Sequence, residues 1–198
     1  MRIIAGKAGG VPLRAPLAGT RPTTDRVREA VFSALADWAG SGGAPADRQL
    51  GGCSFLDLFA GSGAVALEAA SRGASPVVAV DSAVAAVRIA RDNATASGLA
   101  VTVRRARVAD LLAKPDQRFD IVWLDPPYEL PERALAAVLE AVVDRRWLKE
   151  DGLVVVERSS RTPDPAWPAG LASTWCKRYG ETVVHFATTR PTINRERP

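Results

Sequence analysis

Apolar and polar positions along this chain follow two periods. Short apolar runs, rich in β-branched side chains, recur at 54–58, 77–80, 101–104, 121–124 and 153–157. Runs of that length and composition predict buried strands. Between them the apolar spacing becomes helical, at about 64–72, 83–96 and 132–143, with 110–113 a short turn or helix. Gly73 stops the first of these helices and Ser97-Gly98 the second. Alternating strands and helices predict an α/β fold with a parallel sheet covered on both faces. The chain ends differently. Segments 174–179 and 182–188 flank Gly180-Glu181 and predict an antiparallel hairpin, after a proline-rich loop at 159–170.

Upstream of the alternating region the pattern changes. Segments 2–5 and 11–14 can pair around the glycine-rich stretch 6–10. Thr23, Thr24 and Asp25 are all helix N-cap types, and Val27, Ala30, Val31, Ala34, Leu35 and Trp38 then form a helical stripe. Arg26, Arg28 and Glu29 fall off that stripe. Residues 39–52, AGSGGAPADRQLGG, read as a flexible linker. The expected organisation is an extension at 1–49, a main domain at 50–189 and a tail at 190–198.

A chain of 198 residues, 47% of them hydrophobic, supplies one domain with a full core plus an appendage. Charge adds a partner class. Residues 1–28 hold six basic residues (Arg2, Lys7, Arg14, Arg21, Arg26 and Arg28) against the single acid Asp25. That local +5 exceeds the net charge of +4, so the remainder sums to −1. A basic arm on a near-neutral body points to a polyanion, with nucleic acid first. Cys53 and Cys176 stand far apart without metal-ligand company, and the lone His185 cannot complete a zinc site. No metal and no disulfide framework are expected, which fits a cytoplasmic setting. No apolar run approaches the ~20 residues of a membrane span, and the start lacks a signal-peptide core.

Candidate chemistry is concentrated in F-D-I-V-W-L-D-P-P-Y at 119–128. Asp125 follows the predicted strand 121–124, at the end where open α/β sheets place ligands. Pro126 restricts Asp125 to extended backbone, and neither Pro126 nor Pro127 has an N–H. The turn therefore offers acceptors in a rigid frame, with Tyr128 as a flat face. Such a frame suits a planar group bearing an NH2. Binding both amine hydrogens out of the ring plane would localise the nitrogen lone pair and aim it at an electrophile.

The electrophile's place is D-L-F-A-G-S-G at 57–63. Gly61 and Gly63 permit a tight strand-to-helix turn and close approach of a ligand, and Asp81 ends the next strand, where ribose hydroxyls are bound. These glycines alone would also suit a dinucleotide. Two features argue against one: Ala66 stands at the third glycine position, and the Asp57 carboxylate would repel a pyrophosphate. Asp57 would instead attract an ammonium. A ligand with an amino-acid end, an adenosine end and no phosphate is S-adenosylmethionine.

Taken together these motifs resemble the Rossmann-like S-adenosylmethionine-dependent methyltransferases that act on amino nitrogens. With R-I-I-A-G-K at 2–7, R-P-T-T-D-R-V-R-E at 21–29 and L-E-A-A-S-R-G-A at 67–74, the chain is similar to the bacterial 16S ribosomal RNA guanine-N2 methyltransferases of the small subunit. The resemblance runs nearly end to end. It implies a mostly parallel sheet with an antiparallel C-terminal hairpin and a small RNA-binding N-terminal extension. It implies that Asp57, Gly61, Ser62 and Gly63, with neighbouring Phe59 and Ala60, hold the methionine part of the cofactor, and that Asp81 and Ser82 hold the ribose. It implies that Asp125, Pro126, Pro127 and Tyr128 hold the target amine. Arg107 stands where such enzymes often carry Asp or Asn, leaving Asp110 as the candidate for the adenine. The implied partner is 16S ribosomal RNA in an assembled or partly assembled 30S subunit, with a monomer favoured. D-P-P-Y by itself does not separate guanine N2 from adenine N6, so a DNA adenine methyltransferase is the alternative. An NAD-dependent oxidoreductase and a non-catalytic RNA-binding protein are the alternatives of other classes. Glu29 and Glu68 read as helix-surface or capping charges, His185 as a packed residue, and the five tryptophans as packing residues.

Overall fold

In the first unit, Met1–Val108, the chain begins with the expected hairpin, reduced to a minimum. The computed structural model describes residues 1–15 and 24–189. Ile3 N–H bonds to the Val11 carbonyl at 3.0 Å, Gly10 N–H to Ile3 at 2.8 Å, and Leu13 N–H to Met1 at 3.1 Å. Pro12 has no N–H to extend the ladder, and a single antiparallel bridge, Arg2 with Pro12, results. The hairpin is docked. Ile3, Ala8 and Leu13 share a buried cluster with Ala64 and Leu67. Gly6 has φ +86°, and a Cβ there would lie 2.0 Å from the Ser71 carbonyl oxygen, so only glycine permits this approach.

Helix α1, Asp25–Trp38, is capped by Thr24, whose Oγ1 accepts the Val27 N–H at 3.3 Å. Its inner face is wider than the predicted stripe and includes Arg28 and Phe32. Arg21 and Thr23 lie outside the described residues, as does the 190–198 tail. The 39–52 stretch is not a flexible linker. It folds as successive turns with a 3-10 helix at Ala46–Arg48. Leu50 is fully buried, and its N–H bonds to the Arg72 carbonyl at 2.8 Å. An apolar anchor among small and polar residues fixes the whole segment.

Three parallel strands follow in spatial order β3-β2-β1: β1 is Phe55–Leu58, β2 Val77–Asp81 and β3 Thr102–Arg105. Phe55 pairs with Val77 and Val78 with Thr102. All four β1 positions are buried, which is why this strand reads as a continuous apolar run interrupted only by Asp57. Helix α2, Ala64–Ser71, is buried at every position, and α3, Val84–Ser97, ends at Gly98 in the left-handed region.

The second unit, Ala109–Pro198, orders its strands β4-β5-β7-β6. Strand β4, Phe119–Leu124, runs parallel to β5, Leu148–Ser159, while β7, Thr182–Thr188, is antiparallel to both β5 and β6, Ser173–Tyr179. Short α4, Val108–Leu112, leads in, and α5, Glu132–Asp144, joins β4 to β5. Phe119 stacks on Trp147 at 6.3 Å, and the Trp147 indole N–H reaches the Leu112 carbonyl at 3.1 Å. The fold is thus an α/β structure whose seven-stranded mixed sheet is mostly parallel and carries an antiparallel C-terminal hairpin. Among the described residues no helix is long and apolar enough to cross a membrane.

Candidate active site

Within the first unit, the turn from β1 into α2 has an unusual backbone. Phe59, Gly61 and Gly63 have φ of 68°, 53° and 77°. Phe59 is the costly member, because a bulky side chain disfavours that region. A Cβ at Gly61 would meet nothing within 4 Å. Glycine is required there by the dihedral, and the space beside it is open to a ligand. A Cβ at Gly63 would instead lie 3.2 Å from the Ala90 Cβ, so this second glycine lets α3 approach.

Two acids hold the turn. Asp81, at the end of β2, accepts the Gly61 N–H on Oδ2 and the Ala83 N–H on Oδ1, each at 2.8 Å. Ser82 beside it is exposed and Ala60 half-buried. Asp57 is 1% exposed, and its Oδ2 accepts the Ala66 N–H at 3.2 Å in the first turn of α2. That bond satisfies one of the donors a helix start leaves over. Burial pushes the Asp57 carboxyl well above the usual carboxylate range; the Ala66 N–H opposes the shift, and the nearby charge of Asp81 adds to it.

A third side chain, absent from the sequence expectations, holds the same turn. Asn93 of α3, 2% exposed, donates from Nδ2 to the Ser62 carbonyl at 2.9 Å. Its amide also pairs with the backbone of Arg14: the Arg14 N–H donates to Oδ1 at 2.8 Å, and Nδ2 donates to the Arg14 carbonyl at 3.2 Å. The available signal was a buried asparagine on the inner face of α3, three residues after Ala90.

The D-P-P-Y segment belongs to the second unit. Leu124 is buried at the end of β4, Asp125 is half-buried, Pro126 buried, and Pro127 and Tyr128 exposed. The Pro127 carbonyl accepts the Leu130 N–H at 2.9 Å, closing a turn before Pro131 caps α5. Tyr128 is 58% exposed. Glu132, in the first turn of α5, accepts from Arg158 of β5 at 2.7 Å, tying the exit of this turn to the neighbouring strand. Asp110 is exposed in α4.

The basic residues separate into two groups. Lys7 and Arg26 are exposed. Arg2 and Arg14 are exposed too, with Arg2 3.9 Å from Asp25 and Arg14 2.7 Å from Asp92. Arg28 corrects the expectation of an RNA-facing side chain: it is 1% exposed, 3.0 Å from Asp25 and 3.8 Å from Glu68, and it donates to the Arg2 carbonyl. Glu68 is likewise no surface charge. It is fully buried, accepts the N–H groups of Ile4 at 2.7 Å and Ala5 at 3.1 Å, and pairs with Arg72 at 2.8 Å.

Comparison with known proteins assigns a family to this arrangement. The family described as conserved hypothetical protein 95 matches residues 1–195. The protein YlbH of Bacillus subtilis is 33% identical over 191 residues, covering 93% of this chain and 96% of that protein. The ribosomal RNA small subunit methyltransferase D of Escherichia coli is 34% identical over 172 residues, covering 85% of this chain and 80% of its own length. Among solved structures, a hypothetical protein of Thermus thermophilus superposes with a TM-score of 0.77 at 32% identity, over 94% of this chain and 98% of that one.

Proposed function

The chain belongs to the conserved hypothetical protein 95 family, and with it to the family of ribosomal RNA small subunit methyltransferase D; from that premise we propose that it transfers a methyl group from S-adenosylmethionine to the exocyclic N2 of a guanine in 16S ribosomal RNA of the 30S subunit. The observation that carries the reading is the placement of its two motifs. D-L-F-A-G-S-G leaves the carboxyl end of parallel strand β1, and D-P-P-Y leaves the carboxyl end of parallel strand β4. Those strand ends are where α/β sheets bind ligands.

The cofactor fits the residues that are present. The buried Asp57 carboxyl is desolvated, and an ammonium group is the partner that would restore its charged form. A Cβ at Gly61 would meet no atom within 4 Å, which leaves room beside it for part of a ligand. Asp57 disfavours a phosphate at this turn, which argues against a dinucleotide site. Asp57 and the backbone of Phe59 to Gly63 would hold the amino-acid end. Asp81, beyond the N–H groups of Gly61 and Ala83, retains lone pairs for ribose hydroxyls. When bound, the cofactor supplies an electrophilic methyl group.

The chain's own part is to prepare the amine. Asp125 and the Pro126 carbonyl would accept the two amine hydrogens, drawing them from the base plane so that the nitrogen lone pair is localised. Tyr128 would stack on the base, worth roughly 1–3 kcal/mol. A base in folded RNA must leave its stack to reach such a frame. Asp125 also faces the positive charge that develops on nitrogen, an electrostatic contribution already arranged before reaction. No strong base is needed, because the methylated ammonium loses its proton readily. The exposed cations Arg2, Lys7, Arg14 and Arg26 would contact phosphates.

The test uses 30S particles from a strain lacking the gene, incubated with this protein and S-adenosylmethionine labelled in the methyl group. Label recovered as N2-methylguanine at one 16S position is the expected result. Transfer to adenine N6 of duplex DNA offered in a parallel reaction, with none to the particles, would favour the adenine alternative, and no transfer to either would remove the reading.

A further inference from the structure

Asn93 connects two parts of the first unit that the proposed reaction uses separately. One is the basic N-terminal hairpin, and the other is the turn that holds the cofactor. Its carboxamide meets the backbone of Arg14 as a second peptide strand would, accepting from the N–H at 2.8 Å and donating to the carbonyl at 3.2 Å. The same Nδ2 donates to the Ser62 carbonyl at 2.9 Å. Ser62 is the middle residue of G-S-G and is 6% exposed, while Asn93 is 2% exposed. The neighbouring peptide is held from the other side, where the Gly61 N–H donates to Asp81. Asn93 and Asp81 therefore fix adjacent peptide units of one turn, and only the Asn93 bond depends on where the hairpin lies.

We propose that Asn93 is a positioning residue that couples the seating of the RNA-binding hairpin to the shape of the cofactor turn, making RNA binding and cofactor binding mutually favourable. This rests on the methyltransferase reading above. If the hairpin is displaced at Arg14, the Asn93 amide loses two of its three partners. A buried amide without partners is costly, so the side chain turns to find others and releases the Ser62 carbonyl. A ligand that fits the turn only in its held form favours the seated hairpin. RNA that engages the seated hairpin favours the held turn. Such coupling is reciprocal by linkage. The hairpin's other anchors include Glu68 and Ser71 on α2, which hold residues 4 to 8 without using Asn93. Losing Asn93 therefore removes the coupling while leaving the hairpin attached.

The experiment measures the affinity of the full chain for 30S particles from a strain lacking the gene, with and without saturating S-adenosylhomocysteine, which cannot donate a methyl. For the wild-type chain the affinity rises about fivefold or more with the ligand, the lower part of the usual range for coupled sites. For Asn93→Ala and Asn93→Asp, which removes both donor bonds but keeps an acceptor for Arg14, the ratio falls to about one. Arg14→Ala lowers the affinity in both conditions and keeps the wild-type ratio, because Asn93 binds the Arg14 backbone. The reciprocal titration, S-adenosylhomocysteine with and without particles, gives the same factors. Circular dichroism verifies that each variant is folded, and should Asn93→Ala unfold, Asn93→Asp decides alone. A wild-type ratio of one, or Asn93 variants that retain the wild-type ratio, overturns the coupling while the methyltransferase reading stands. A wild-type chain that binds neither S-adenosylhomocysteine nor particles overturns both.

Discussion

Glu68 of α2 and Arg28 of α1 face each other inside the first unit, Oε2 to Nε at 3.8 Å, with side-chain exposures of 0% and 1%. Burying both charges costs desolvation free energy that mutual attraction alone often fails to recover. Here further bonds offset part of that cost. Glu68 accepts from Arg72 and from the N–H groups of Ile4 and Ala5, and Arg28 reaches Asp25 and the Arg2 carbonyl. One carboxylate thus joins α1, α2 and the N-terminal hairpin.

Removing that carboxylate takes a buried anionic partner from both Arg28 and Arg72. Glu68→Ala is expected to cost about 3–5 kcal/mol of stability, read from urea unfolding at neutral pH. Arg28→Ala is expected to be destabilising as well, through the buried contacts to Asp25, Glu68 and the Arg2 carbonyl that it removes. A stable Arg28→Ala protein whose only defect is weaker RNA binding would return Arg28 to the RNA-facing group.

This cluster also marks where the sequence stopped being legible. Apolar runs located β1, β2, β4 and the buried part of β5, because burial on both faces leaves a continuous signature. The same rule misjudged charges. Arg28 precedes Phe32 by four residues and Leu35 by seven, which puts it on the buried face, but a stripe drawn from Val27 excludes it. Glu68 stands among alanines in a helix buried at every position, and its partners come from other elements, which spacing cannot supply. Strand β5 begins at Leu148, five residues before its apolar run. Lys149, Glu150 and Asp151 hide its start, and the register against β4 shifts across them, from Phe119 with Leu148 to Ile121 with Leu153. In the candidate site, Asp57, Asp81 and the glycines were legible as motif. Asn93 was not, because its role lies in backbone partners far away in sequence.

Asp57 gives a pH signature. Its folded pKa is raised by burial, so the folded state binds the proton more tightly than the unfolded state. Its contribution to stability is full below the ordinary aspartate pKa and is lost as pH rises through the raised value. Asp57→Asn should remove this decline, raising Tm relative to wild type near neutrality and flattening its dependence on pH. The same variant should weaken S-adenosylmethionine binding in calorimetry by roughly 1.5–3 kcal/mol, the worth of a charge-assisted hydrogen bond. Unchanged affinity would remove Asp57 from the cofactor site.

The exposed cations of the N-terminal region should act on the salt dependence of RNA binding. Lys7→Ala and Arg26→Ala are each expected to lower the slope of log K against log salt by roughly 0.7–0.9 without changing thermal stability. Equal slopes for wild type and both variants would leave the N-terminal charge without a phosphate partner.

Tyr128 separates stacking from chemistry. Tyr128→Phe keeps the ring, so turnover should stay within a few-fold of wild type, whereas Tyr128→Ala loses the stacking contribution of roughly 1–3 kcal/mol. A severe phenylalanine variant would assign the role to the hydroxyl group.

The most direct measurement is single-turnover methylation of 30S particles by Asp125→Asn, alongside its affinity for S-adenosylmethionine. The substitution keeps the size of the side chain but replaces one acceptor oxygen with a donor that faces the amine's own hydrogens. The expected methyl-transfer rate is lower by roughly 10²–10³-fold, the usual cost of losing one preorganised electrostatic contact, with cofactor affinity near that of wild type. Near-normal transfer by Asp125→Asn would contradict the amine-binding role of D-P-P-Y, and with it the account.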